Sequence, residues 1–152
     1  MTTVLAKKLV QAPLAQAWKA FTNASSMRNW LCDLATVAPR PNGRIYLWWN
    51  GDFYSAGVYR EVEQHKKVSF TWHSPNESQP TLVTVEFAEQ AEGTLVKLTH
   101  AVPDEPGWEK TAASFKHHWQ QTLEPLAFML ETGMDYRIAN RPMLGIFPSD
   151  FT

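Results

Sequence analysis

Cysteine, clustered basic residues and long apolar runs are all scarce in this sequence. Cys32 is the only cysteine among 152 residues, so no disulfide can form within the chain, as is usual in a reducing cytoplasm. The formal net charge is −1 and no basic run occurs, which argues against nucleic acid as a partner. No apolar stretch approaches the roughly 18 residues of a membrane span, and the first residues lack the order of a signal peptide. We therefore expect a cytoplasmic protein with no membrane span and no nucleic-acid partner.

Signatures of metal, cofactor and covalent chemistry are also missing. The sequence contains neither a glycine-rich phosphate loop nor a Gly-x-Ser-x-Gly elbow. His117 and His118 are adjacent, so on a helix they point about 100° apart, whereas two metal ligands on one helix need a spacing of about three or four residues. Cys32 has no obvious histidine partner in the sequence, which favours a half-buried structural thiol. We predict no metal site, no cofactor and no catalytic residue.

Aromatic residues, in contrast, are abundant. The chain has seven Trp, eight Phe and four Tyr, and its 152 residues suffice for one domain with a substantial core. Large flat side chains can fill such a core, or they can line a cavity that is not fully filled. Composition alone leaves both interpretations open.

The hydrophobic pattern predicts an α+β domain. A weak alternation over residues 4–10 indicates a first strand, and Pro13 suits the first turn of a helix that precedes a second short helix. From residue 33 to 100, alternating segments separated by short turns such as Asn42-Gly43 indicate six antiparallel strands. The predicted order is therefore one strand, two helices, six strands and one long helix that covers the apolar face of the sheet.

The long helix, predicted over residues 108–133, carries one apolar stripe and an unusual proline. Five residues form the stripe at helical spacing: Phe115, Trp119, Leu123, Leu126 and Leu130. Gly133 suits a left-handed C-cap. Pro125 removes a backbone donor and crowds the preceding turn, so we expect a bend at this position.

We predict two parts of the chain, a domain over residues 1–133 and a C-terminal extension over 134–152. Several side chains of the extension would be unfavourable in water: Met143, Leu144, Ile146, Phe147 and Phe151. The extension could pack back on the domain, cover a partner, or begin a second domain.

The order of elements and a series of short motifs resemble the START-like, helix-grip (SRPBCC) superfamily over about residues 4–133. The motifs are Val10-Gln11-Ala12-Pro13, Ala17-Trp18, Phe21-Thr22, Trp30, Pro41-Asn42-Gly43, Gly57 with Tyr59, Glu61-Val62, Phe70-Thr71-Trp72, Leu98-Thr99-His100 and Leu130-Glu131-Thr132-Gly133. Within the superfamily, the chain is most similar to the branch homologous to the C-terminal domain of the heat-shock-chaperone ATPase activator. The resemblance implies a curved antiparallel sheet around a long C-terminal helix, with a cavity between them. It implies no universal catalytic residue.

Seven residues are candidates for a ligand site in such a cavity: Trp49, Tyr54, Trp72, His100, Phe115, Trp119 and Leu123. Alternation places His100 on the strand face that points at the helix, where it is a ligand anchor, an acid or base, or a core histidine bonded to backbone or water. Glu61 is a buried carboxylate if the face of Tyr59 points inward, and solvated otherwise. With a cavity present, a bend at Pro125 would hold the half of the helix around Phe115 away from the sheet.

Three functions fit these expectations. The leading one is binding of a small hydrophobic or aromatic ligand, with no chemistry of its own. The second is a cyclase-like or hydratase-like enzyme on a polyketide-like substrate, in which His100, Tyr54 or Glu61 transfers protons. The third is an interaction module that contacts a chaperone or forms a homodimer.

Overall fold

The computed structural model describes residues 2–75, 77–134, 145–146 and 150–151. Its elements are β1 (Thr2–Val10), α1 (Leu14–Lys19), α2 (Ala24–Arg28), β2 (Leu34–Val37), β3 (Arg44–Trp49), β4 (Phe53–Glu63), β5 (Lys67–Trp72), β6 (Thr81–Gln90), β7 (Gly93–Val102), α3 (Trp108–Thr132), β8 (Gly145–Ile146) and β9 (Asp150–Phe151). Strands β1 to β7 form one antiparallel sheet in the order β1-β7-β6-β5-β4-β3-β2, and β8 pairs with β9. The prediction of an α+β helix-grip fold, with six strands between the short helices and the long one, is confirmed.

The sheet has one apolar inner face because its strands alternate as the sequence predicts. On β6 and β7 the buried residues Val83, Val85, Val96 and Leu98 point to the same side. Helix α3 packs on this inner face, mainly along β1 and β7. Helices α1 and α2 contribute the buried residues Ala17 and Met27, and Phe21 in the turn between them is also buried.

Helix α3 is continuous through Pro125. Gly133 closes it in the left-handed conformation at φ 78°, and its N–H donates to the Met129 carbonyl at 2.7 Å, as the sequence predicts. The expectation that the first half of the helix stands off the sheet is wrong. Phe115 and Trp119 are buried, and their ring centroids lie 6.4 and 5.5 Å from that of Trp72 on β5.

A β-bulge between Tyr59 and Glu61 settles which way the second half of β4 faces. Tyr59 is fully buried, and its hydroxyl donates to the Phe21 carbonyl at 3.2 Å. After the bulge, Glu61 is exposed and lies 3.0 Å from Lys67 Nζ. Tyr59 thus faces inward, but the bulge turns Glu61 outward, so Glu61 is solvated although the face of Tyr59 is the inner one.

The predicted division into residues 1–133 and an extension over 134–152 involves a segment that lies largely outside the described residues. Helix α3 ends at Thr132 and Gly133 caps it. In the described part of the chain, no helix combines the length and the apolar character needed to cross a membrane.

Candidate functional site

Four buried rings, which we call the His100 cluster, lie where the inner face of the sheet meets the first half of α3. They are Trp72 of β5, His100 of β7, and Phe115 and Trp119 of α3. The His100 and Phe115 rings are stacked, with centroids 3.9 Å apart and planes at 10°. Trp72 lies edge-on to the other rings, 5.9 Å from His100 and 5.5 Å from Trp119. Such edge and stacked contacts are the favourable geometries for aromatic rings.

His100 is held by hydrogen bonds on both ring nitrogens. Trp119 Nε1 donates to His100 Nδ1 at 3.0 Å, and an indole N–H can only donate, so Nδ1 is the acceptor. In the neutral ring the proton then lies on Nε2, which donates to Thr81 Oγ1 at 2.6 Å. Thr81 in turn donates its hydroxyl proton to the Trp72 carbonyl at 3.2 Å. The chain of three bonds joins α3 to β7, β6 and β5.

This environment keeps the His100 ring uncharged. Burial, together with the smaller effect of the nearby His118, lowers the pKa of His100 to about 3. Because Trp119 occupies the one lone pair of the neutral ring, His100 has no free nitrogen with which to accept a substrate proton. The geometry is therefore that of a bonded core histidine, and it gives no support to a role in proton transfer.

Two further aromatic side chains lie beside the cluster at the tip of the β3–β4 hairpin. Trp49 is half-buried, and its Nε1 donates to the Leu31 carbonyl at 2.7 Å. Its ring centroid is 5.9 Å from Trp72 and 5.4 Å from Phe53. Phe53 is 44% exposed. The sequence did not single out Phe53, although pairing with Trp49 across a two-strand hairpin would have placed the two rings together.

The remaining two predicted residues lie elsewhere. Leu123 is buried in the helix–sheet core one turn beyond Trp119. Tyr54 lies on the outer face of the sheet, where it stacks on Tyr46 with ring centroids 5.9 Å apart. Tyr54 also pairs with Trp48 across the hairpin. Six of the seven predicted residues thus lie on the inner side, and Tyr54 lies on the opposite side.

Two polar side-chain atoms next to the cluster are buried without a partner. Within the described residues, neither Trp72 Nε1 nor Ser74 Oγ has a hydrogen-bond partner, although Trp72 is only 2% and Ser74 only 3% exposed. Most buried polar atoms in proteins are paired, so each such atom needs an explanation. Ser74 was not among the residues predicted from the sequence, although the inward alternation of Phe70 and Trp72, continued by two residues, points to it.

Four grooves of about 210 to 530 Å³ on the described surface lie away from the predicted residues, since none of the seven candidates lines these four. The rings of the His100 cluster contact one another in the space where a cavity was expected. Among the described residues, no group of three or more His, Cys, Asp and Glu side chains is placed to hold a metal ion.

Comparison with solved structures shows the same fold in distant relatives. The protein MLL2253 from Mesorhizobium loti is 20% identical, with 86% of this chain and 97% of that chain covered at a TM-score of 0.78. DynU16, described as a putative protein in the dynemicin biosynthetic locus, is 21% identical, with 88% of this chain and 48% of that chain covered at a TM-score of 0.79. The Aha1 dimer from Colwellia psychrerythraea, solved in solution, is 18% identical, with 88% and 98% covered at a TM-score of 0.76.

Sequence comparison identifies the family. No curated protein sequence matches the chain. A family model does match, over residues 11–131, which is most of the described domain. The resemblance to the helix-grip superfamily, and to its chaperone-activator branch, is confirmed by this match and by the structural relatives. The chain belongs to the family described as Activator of Hsp90 ATPase homolog 1-like protein.

Proposed function

We propose that this protein binds a small hydrophobic or aromatic molecule between the inner face of β5 and β7 and the first half of α3, without chemistry of its own. The observation that carries the proposal is an aromatic entrance that is continuous with a buried aromatic interior. Phe53 is 44% exposed at the end of the inner face, it contacts Trp49, and Trp49 contacts Trp72. Covering a solvent-exposed phenyl ring with an apolar molecule removes apolar surface from water and so stabilises the complex.

Binding at this position requires the rings at the entrance to move. Trp49 and Phe53 are directly paired at the tip of the β3–β4 hairpin, where the turn contains Gly51 at φ 94° and Asp52 at φ 62°. Outward movement of Trp49 would break the bond from its Nε1 to the Leu31 carbonyl, whereas the exposed Phe53 ring can move without losing such a bond. An entering flat ring would then replace the aromatic contacts of Trp49 with contacts of its own.

The enzyme alternative has less support from the geometry. Both His100 nitrogens are occupied, Glu61 is exposed and paired with Lys67, and Tyr54 lies on the outer face. The three residues considered for proton transfer are therefore not brought together at one site.

Titration of the tryptophan indole N–H signals by NMR tests the proposal, because each of the seven Trp residues reports on its own surroundings. With naphthalene and 2-acetylnaphthalene as probes, the indole signals of Trp49, Trp72 and Trp119 are expected to shift together. The signal of Trp30, whose Nε1 donates to the Ala20 carbonyl, is expected to stay in place. Absence of any shift at the solubility limit of both probes would contradict the proposal.

A matched pair of surface variants distinguishes binding at the inner face from nonspecific binding to exposed aromatic rings. Phe53→Ser removes an exposed ring from the entrance, and Tyr54→Ser removes an exposed ring from the outer face one residue away. Phe53→Ser is expected to weaken naphthalene binding severalfold, and Tyr54→Ser to leave it unchanged. Equal losses for the two variants would argue for nonspecific adsorption.

We also propose self-association through the outer face of β2, β3 and β4. Leu34, Trp48 and Tyr54 are paired across these three strands, and Leu34, Tyr54 and the neighbouring Tyr46 are exposed. The Colwellia relative is a dimer, and a two-fold copy is the simplest partner for such a patch. Sedimentation velocity tests this: the wild type is expected to dimerise with rising concentration, and Tyr54→Glu to remain monomeric. A homodimer interface normally buries well over 1,000 Å². A wild type that remains monomeric at about 0.1 mM would contradict self-association through this face.

A further inference from the structure

The two unpartnered donors beside the His100 cluster lie at the end of β5 and two residues beyond it. Trp72 ends β5 and points inward, His73 is exposed, and Ser74 points inward again. The bridge between Ala56 and His73 holds this end of β5 against β4. Trp72 and Ser74 are therefore both buried at the end of β5 where Trp49 contacts Trp72 and Phe53.

Leaving both atoms without a partner is costly for the folded protein. Each buried, unsatisfied donor costs on the order of 1–3 kcal/mol relative to a bonded one. Nearby acceptors are already engaged: the Trp72 carbonyl accepts from Thr81, and the Leu31 carbonyl accepts from Trp49. A molecule that brings its own acceptor oxygen to this position recovers that free energy, whereas a pure hydrocarbon does not.

The surroundings also select the charge of that acceptor. The ring contacts of Trp72 are with Trp49, Phe115, Trp119 and His100, and burial keeps His100 uncharged because its pKa falls to about 3. A carboxylate placed there would be desolvated with no cation among these contacts.

An acidic side chain also disfavours a carboxylate ligand at this position. The Glu77 carboxyl accepts from the Ser74 backbone N–H at 3.0 Å, so it lies at the Ser74 end of the site. A carboxylate ligand at Ser74 would face this acidic group as well as the loss of its own hydration. An uncharged oxygen meets neither penalty.

Building on the proposed function, we infer that the ligand is an uncharged aromatic carbonyl compound, such as an aryl ketone or quinone, whose oxygen accepts hydrogen bonds from Trp72 Nε1 and Ser74 Oγ. Its flat ring system takes the place of Trp49 against Trp72. An amine is not selected, because an indole N–H can only donate. The carbonyl oxygen would occupy a polar subsite in a site whose other contacts with the ligand are apolar.

Three probes of one ring size test the inference by NMR titration: naphthalene, 2-acetylnaphthalene and 2-naphthoate. The wild type is expected to bind 2-acetylnaphthalene about tenfold more tightly than naphthalene, the effect of one well-formed hydrogen bond to a buried donor, and to bind 2-naphthoate no more tightly than naphthalene. The Trp72 indole proton is expected to move downfield with the ketone alone, because a new acceptor deshields it.

Two variants and one control test whether Trp72 Nε1 and Ser74 Oγ cause the tighter binding of the ketone. Trp72→Phe and Ser74→Ala are each expected to reduce the ratio of ketone affinity to naphthalene affinity severalfold. An unchanged Trp30 indole signal shows that each variant is folded. Trp18→Phe is the control, because Trp18 Nε1 is likewise buried without a partner in the described residues but packs against His65 at the other end of β5. It is expected to keep the full preference.

The outcomes separate the two proposals. Binding of none of the probes would overturn the proposed function and this inference with it. Equal binding of naphthalene and the ketone, or a ketone preference that survives both Trp72→Phe and Ser74→Ala, would overturn the inference while the proposed function stands. Tighter binding of 2-naphthoate than of the ketone would overturn the uncharged class.

Discussion

Protonation of His100 should make the stability of this protein unusually sensitive to mild acid. In the unfolded chain a histidine titrates near its ordinary pKa of about 6.5, whereas burial lowers the native pKa of His100 to about 3. Between these values the unfolded state binds a proton that the folded state does not. Stability contributed by the uncharged ring is therefore complete above pH 6.5 and falls as the pH is lowered toward 3.

The size of the effect follows from the two pKa values. Over the titrating range one proton changes the free energy of unfolding by about 1.4 kcal/mol per pH unit. Integrated from pH 7.5 to 4.5, the loss from His100 is about 2 to 3 kcal/mol. Because the ring is fully buried, solvent screening does not reduce this figure. The free energy of unfolding of most small domains is only about 5–15 kcal/mol, so the loss is easily measured.

The assay compares the wild type with His100→Gln by urea denaturation at pH 7.5, 6.5, 5.5 and 4.5. Glutamine does not titrate, yet its amide can accept from Trp119 and donate to Thr81. The variant is expected to be less stable at pH 7.5, and the gap to the wild type is expected to close by about 2 to 3 kcal/mol at pH 4.5. His117→Gln is the control, because His117 is exposed on α3.

Two results would refute this reasoning. One is a constant gap between the wild type and His100→Gln across the four pH values. The other is an NMR titration in which the His100 ring takes up a proton above about pH 5.5, which is within one unit of the ordinary histidine pKa. Either would mean that the ring is not held neutral by its burial and its bonds.

Three further predictions concern the free energy of unfolding at pH 7.5, measured by the same assay. Tyr59→Phe is expected to cost about 1–2 kcal/mol, because the buried hydroxyl bond to the Phe21 carbonyl is lost; no change would contradict that bond. Gly57→Ala is expected to cost about 3 kcal/mol or more, since its new Cβ would lie 2.0 Å from the Thr71 carbonyl oxygen; a fully stable variant would show that the two strands can separate. Leu126→Ala is expected to cost about 3–5 kcal/mol, because this side chain of α3 is fully buried; a loss below about 1 kcal/mol would contradict its place in the core.

The fold could be predicted from the sequence because its signals are local and repeated. Period-two alternation defines the strands of β5 to β7, and one apolar stripe defines α3. These patterns also place Trp72, His100, Phe115 and Trp119 on facing surfaces, so the members of the buried cluster were found. Alternation needs no knowledge of partners, since it records only which side each residue faces.

The remaining features depend on events that alternation does not record. The bulge after Tyr59 reverses the phase of β4, so a continuous count cannot assign Glu61 and Tyr54 to a face with respect to the core. Pro125 lacks a backbone donor, but the helix continues through it because Leu123 and Leu126 are buried on either side and hold it against the sheet. Whether rings fill a space or line it depends on volumes summed over several elements, which no single segment specifies.

The hydrogen bonds of Trp119, His100 and Thr81 have a consequence for how this chain can diverge. Each link has one donor and one acceptor in a fixed direction, so a change at any one position leaves a buried polar atom of its neighbour without a partner. Replacement of His100 by an apolar residue would then be tolerated best together with replacement of Trp119 by a side chain without an N–H. In a set of homologous sequences, these two positions should therefore be substituted as a pair, and positions 81 and 100 should follow the same rule less strictly, because Thr81 keeps its bond to the Trp72 carbonyl.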